Sequence, residues 1–100
     1  MLIYILLEEA LVKRKDIEGR LFVIFEDIFN LNGVKIGLEI GPKDLKDWDS
    51  LGHIRLISAI EEEFKITIPI EYAVKFDSFN MILEYVYDKL SNGFEEERNI

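Results

Sequence analysis

The residues best able to do chemistry lie together in Asp47-Trp48-Asp49-Ser50-Leu51-Gly52-His53. A serine that precedes an amphipathic run ordinarily serves as a helix N-cap, a contact worth about 1 kcal/mol. This one also ends a long stretch carrying Gly33, Gly37, Gly41 and Pro42, which predicts an exposed hydroxyl. A phosphate ester on that oxygen would sit beside unpaired backbone N–H groups and the positive end of a helix dipole. The position therefore suits an anionic attachment point as well as a cap. His53 lies one helical turn after Ser50, the spacing of a general base. No acid partner or oxyanion donor accompanies it, so a surface or packing histidine is expected and a serine hydrolase is disfavoured. Asp44, Asp47 and Asp49 alternate, but they lack the glycine and closing glutamate of an EF-hand loop. They read as a solvated loop with no metal site, the alternative being weak divalent binding near Ser50. Trp48 is expected to anchor that loop by packing, the alternative being an exposed partner contact.

These residues need helices to position them. Ser50 opens an expected helix running to about Lys65, with Leu51, Ile54, Ile57 or Ser58, Ile60 and Phe64 facing inward. Glu61, Glu62 and Glu63 crowd its C-terminal half, opposing the helix dipole by a few tenths of a kcal/mol each. Upstream, Ile17, Leu21, Ile24 and Ile28 recur at helical spacing, widened by Phe22, Phe25 and Phe29. Asp16 is the expected N-cap of that helix, and Asn30, Asn32 and Gly33 its end. Leu31 to Asp49 is then a long connection, and loops of that length are often functional. Ile66, Ile68 and Ile70 alternate like a strand. Pro69, however, lacks an N–H, and no second strand exists to pair, so an apolar loop is expected. Glu71 to Phe76 predicts a short helix. Asp77 or Ser78 should cap a last one in which Phe79, Ile82, Leu83, Val86 and Leu90 are buried and which Asn92 and Gly93 end.

The fold expected is all-α, a four-helix bundle of three main helices and one short one, with a long first loop. Residues 1–15 are expected to form an apolar extension in which Leu2, Ile3, Leu6, Leu7, Ala10 and Leu11 keep helical spacing, as an extra helical segment or a continuation of the next helix. Residues 16–92 form the domain, and 93–100 a charged tail expected to fray. The apolar start is too short for a membrane span, which needs about 20 residues. Its basic cluster Lys13-Arg14-Lys15 follows the apolar run rather than preceding it, unlike a signal peptide.

Composition narrows the function. The chain has 100 residues, 49% of them hydrophobic, which is enough for a core and excludes wholesale disorder. It has no cysteine, so a disulfide framework, a thiolate metal site and a cysteine nucleophile are excluded, and its one histidine excludes a histidine-rich metal site. Twenty acidic against twelve basic residues give a net charge of −8. Such a surface repels nucleic acids and anionic membranes and suits docking on basic protein patches.

Asp49-Ser50-Leu51, the run Leu56-Ile57-Ser58-Ala59-Ile60-Glu61-Glu62-Glu63-Phe64, and Ile68-Pro69 with Ala73 resemble the acyl carrier protein family, over about Ile17 to Ser91. The resemblance implies that Ser50 receives a 4′-phosphopantetheine arm from coenzyme A, through a phosphopantetheinyl transferase using Mg²⁺. The arm would hold acyl intermediates as thioesters for fatty-acid, polyketide or specialised biosynthesis. It implies a cytoplasmic, monomeric carrier with no catalysis of its own. Docking on basic patches of acyl-loading and acyl-transfer enzymes would use Asp49, Leu51, Glu61, Glu62 and Glu63. By position, Ile60, Phe64, Ile68, Phe76 and Phe79 would surround a cargo cleft between the second and third helices. The phenylalanines among them would leave a short or polar acyl group largely outside the bundle. Gly52 and Arg55 stand where fatty-acid-type carriers have acidic residues. The run Trp48-Asp49-Ser50-Leu51-Gly52-His53 is similar to discrete carriers of specialised pathways. The alternative, from another class, is a helical protein-interaction adaptor that is never modified.

Overall fold

The computed structural model describes residues 2–33 and 35–98, with side chains placed for Ile3, 13–33 and 35–91. It contains four helices, α1 (Leu2–Phe29), α2 (Ser50–Phe64), α3 (Ile70–Ala73) and α4 (Phe79–Arg98). The described residues include no strand. The segment Ile66 to Pro69 forms no strand, in keeping with a proline that lacks an N–H for a ladder.

α1 packs antiparallel against both α2 and α4. Arg20 reaches Glu63 at the end of α2, while Phe29 lies against Gly52 at its start. Arg14 pairs with Glu84, and Phe25 meets Phe79 one turn before it in α4. The buried stripe of α1 is Ile17, Leu21, Phe25 and Phe29, and that of α2 is Gly52, Leu56, Ile60 and Phe64. α4 adds Phe79, Ile82, Leu83 and Val86. A helix of 28 residues is about 42 Å long, close to the longest dimension of the molecule, 45 Å. α1 therefore sets the long axis, and the radius of gyration of 14.6 Å exceeds the roughly 13 Å of a spherical domain this size.

Several expectations are corrected. Asp16 caps nothing: α1 runs unbroken through it, and its carboxylate pairs with Arg20 one turn later at 3.5 Å. No glycine or proline separates the apolar start from the helix, so propagation costs less than a new nucleus. Of that start's apolar stripe only Ile3 has a described side chain, and it is exposed. Leu51 and Ile54 point outward, 66% and 63% exposed. The inward face of α2 passes instead through Gly52, whose missing side chain lets the helix approach α1 closely. Leu90 is partly exposed. The short helix begins at Ile70 and ends at Ala73. α4 continues through Asn92 and Gly93 to Arg98, since a mid-helix glycine costs only about 1 kcal/mol and helix formers follow it. Residues 99–100 of the expected tail lie outside the described residues.

The long connection, 30–49, has a structural task. It leaves α1 through Asn30 and Asn32, both at φ 54°, and Gly33 at φ 81°, then crosses to α4. There the carbonyls of Ile40 and Leu38 accept the N–H groups of Phe79 and Asn80 at 2.9 and 2.8 Å. The loop thus satisfies two of the donors that a helix start leaves unpaired, and Ser78 Oγ accepts a third, from Met81, at 3.1 Å. Gly41 passes so close to Asp77 that an added Cβ would lie 2.4 Å from its carbonyl oxygen. The loop then returns through turns at Asp44 and Trp48 to the start of α2.

Candidate functional site

Ser50 occupies the first position of α2 and is exposed. It is not the cap. Asp49 takes that place in extended backbone (φ −101°, ψ −165°), and its Oδ1 accepts from the Gly52 N–H at 2.9 Å. Its carbonyl accepts from His53 N at 2.8 Å. An aspartate is at least as good a cap as a serine, and its charge also favours the helix N-terminus. The expected capping role therefore passes to Asp49, and the serine hydroxyl has no part in it.

Gly52 is buried, and a Cβ on it would lie 2.0 Å from the Asp47 carbonyl oxygen and 3.2 Å from the Phe29 ring. Its lack of a side chain is a packing requirement of this chain. Arg55 is exposed.

Trp48, 3% exposed, anchors the loop as expected. Its indole packs edge-on against Phe25 (centroids 5.3 Å, planes at 84°) and over Phe29 (5.5 Å, 27°). Its Nε1–H donates to His53 Nδ1 at 2.9 Å. Indole N–H is only a donor, so Nδ1 must be the accepting nitrogen and Nε2 carries the proton. That proton reaches the Ala73 carbonyl of α3, 2.7 Å away. Both ring nitrogens are thus committed, which removes the lone pair a base for Ser50 would need. His53 is a packing residue with two specific partners.

The three glutamates have separate situations, because consecutive helical residues point about 100° apart. Glu61 Oε2 accepts from the Ile68 N–H at 2.8 Å. Glu63 pairs with Arg20 Nε at 2.8 Å, and its carbonyl accepts from the same guanidinium at 3.1 Å. Arg20 also lies 4.4 Å over the Phe64 ring. Glu62 is exposed. Several large apolar side chains are exposed, Leu51 and Ile54 on α2 and Ile70 (75% exposed) and Val74 (69%) on or next to α3, and so are the charged Asp47, Asp49 and Arg55 around Ser50.

Ile60, Phe64, Ile68, Phe76 and Phe79 are all buried in one core. Phe76 meets the Tyr85 ring at 5.2 Å. Phe79 instead faces α1, 4.9 Å from Phe25, and lines an open groove of about 410 Å³ with Phe22, Ile36 and Leu38. Among the described residues no cluster of three His, Asp or Glu side chains could hold a metal. Asp44 accepts from the Gly41 N–H at 2.9 Å. No described helix is long and apolar enough to cross a membrane. Compared with models of known protein families, the chain matches none.

Proposed function

We propose that this protein is an acyl carrier, loaded at Ser50 with 4′-phosphopantetheine. The observation that carries the reading is the division of labour at the start of α2. Asp49 performs the capping that would otherwise account for a serine there, and Ser50 is left exposed at the helix N-terminus. A transferase would move the phosphopantetheinyl group of coenzyme A to the Ser50 oxygen, releasing the nucleotide half of coenzyme A and the hydroxyl proton. The resulting phosphodiester would lie at the positive end of α2, where anionic charge is favoured. The arm's thiol would hold an acyl group as a thioester, which this cysteine-free chain cannot do with its own side chains. Tethering would present cargo to partner enzymes at about millimolar effective concentration.

Exposed Leu51 and Glu62 stand nearest to the docking role expected of them. Asp49, Glu61 and Glu63 also serve the fold. The rival reading, an unmodified adaptor, would use the same exposed apolar side chains and shares this fold.

Intact mass after incubation with coenzyme A, Mg²⁺ and a promiscuous phosphopantetheinyl transferase separates the two. A carrier gains one phosphopantetheine, and Ser50→Ala gains none. Because Ser50 is exposed and caps nothing, Ser50→Ala should change stability by no more than about 0.5 kcal/mol. No mass gain on the wild-type chain, or a gain that survives Ser50→Ala, overturns the assignment.

A further inference from the structure

A helix of four residues, the length of α3, is far below the about 12–15 residues at which a helix is marginal alone. Its position must be imposed from outside. Two side chains of α2 hold the backbone here: Glu61 at Ile68 N, two residues before α3, and His53 at the carbonyl of Ala73, its last residue. Ring contacts of Tyr72 and Phe76 with Tyr85 tie the segment to α4.

The His53 contact differs from the others because it is itself held. The Trp48 and His53 ring planes lie within 13° of each other, as an in-plane N–H···N bond favours. The donor indole leaves one tautomer, with its proton directed at Ala73. A continuous path thus runs from Phe25 and Phe29 of α1, through Trp48 and His53, to α3. Immediately beside its last link lie Ile54, next to His53, and Val74, next to Ala73. Leu51 and Ile70 stand one turn before them on their respective elements.

We propose that His53 is a positioning residue for the surface beside Ser50. It holds α3 against the first turn of α2, so that Leu51 and Ile54 join Ile70 and Val74 in one apolar surface for an enzyme partner. Naming that partner a phosphopantetheinyl transferase rests on the carrier reading, whereas the placement of α3 does not. The imidazole does no chemistry on Ser50. It decides whether the apolar surface is continuous when a partner arrives.

Two variants and two readouts test this. His53→Phe keeps a ring beside Trp48 and removes both hydrogen bonds, whereas His53→Gln retains an amide donor for Ala73. In the unmodified protein, His53→Phe should shift the backbone amide resonances of Ile70 to Val74, and His53→Gln should restore them in large part. With the transferase, His53→Phe should raise KM for the protein at least about threefold with kcat little changed, and His53→Gln should recover most of that loss. Should His53→Phe fail to fold, Trp48→Phe carries the test. It frees the tautomer without touching α3, and it too should move the Ile70 to Val74 amides. Amide changes confined to the neighbourhood of the substitution would overturn the proposal. So would a loss expressed in kcat alone, or equal impairment by the Gln and Phe variants. If the wild-type protein takes no phosphopantetheine, the carrier reading fails while the amide shifts still decide the placement of α3.

Discussion

Gly52 shows how one residue type can be read in two ways. Beside the serine it looks like the loss of a charge that a partner would want. In the fold it is the point where α2 touches the chain leading into it, with the Asp47 carbonyl in the space a methyl group would need. A backbone carbonyl cannot rotate aside as a side-chain tip does. Gly52→Ala should therefore destabilise the protein by about 1–3 kcal/mol, the usual cost of overpacking, despite alanine's higher helix propensity. Urea unfolding of the unmodified protein measures this. A neutral or stabilising substitution would mean that α2 has slack against Asp47. The serine and its neighbours were legible as a candidate site from their order along the chain. Which of Asp49 and Ser50 caps the helix was not, because both residue types cap well and only backbone geometry chooses between them.

At the scale of elements, α2 carries an acidic run whose members are not equivalent. Glu61 secures the loop into α3, and Glu63 secures α1 through Arg20, so charge reversal at either disturbs the fold as well as any docking. Glu62 is the clean probe. Glu62→Lys should leave stability within about 0.5 kcal/mol and, on the carrier reading, slow transferase modification, with the difference shrinking as salt is raised. Glu61→Ala should lower stability by about 1–3 kcal/mol, since it leaves the Ile68 N–H without its acceptor. Comparing urea midpoints with initial modification rates separates these outcomes. A Glu62→Lys variant modified as fast as the wild type at low salt would remove that residue from recognition. The C-terminus of α2 has a related cost: Lys65 ends it in the left-handed region at φ 55°, a conformation easier for glycine.

The whole molecule sets two groups of contacting rings among its aliphatic core residues. Phe25, Phe29, Trp48 and Phe79 form one cluster, while Phe76 joins Tyr72 and Tyr85 in another. Interiors packed to ordinary density have no room for an added alkyl chain without rearrangement, typically at about 1–3 kcal/mol. On the carrier reading, octanoyl and acetyl cargo on the Ser50 arm should therefore give nearly equal melting temperatures. A marked octanoyl-specific stabilisation, with amide shifts at Phe76 and Phe79, would instead demonstrate a working chain pocket. A second global property concerns acid. The hydrogen bond from Arg14 holds the Glu84 carboxyl below its ordinary range, opposed in part by desolvation and aided by the guanidinium charge. A carboxyl depressed in the folded state adds stability above its unfolded pKa, and loses that contribution as pH falls through the folded value. Both partners are partly exposed, so the pair is worth at most about 1 kcal/mol. Glu84→Gln should thus be slightly less stable than wild type at neutral pH, with the gap closing in acid. A gap that persists once pH has fallen below the depressed folded value would assign the effect to packing instead.

Periodicity and end signals by themselves determined the all-α class and the stripes Ile17-Leu21 and Ile82-Leu83-Val86. They also determined the left-handed exit at Asn30 and Asn32 and the place of Ser50 at a helix start. These are local matters: apolar spacing, turn chemistry and capping act within a few residues of the chain. Tertiary structure alone decided that the inward face of α2 runs through Gly52 rather than Leu51 and Ile54, because the Asp47 carbonyl and the Phe29 ring occupy the space where a side chain would go. Contacts between separate elements likewise decided that Glu61 and Glu63 are bound, that the long loop caps α4, and that His53 spans from Trp48 to Ala73. Such pairings depend on which backbone groups are brought together when the helices pack, and the spacing of residues along one helix carries no record of them.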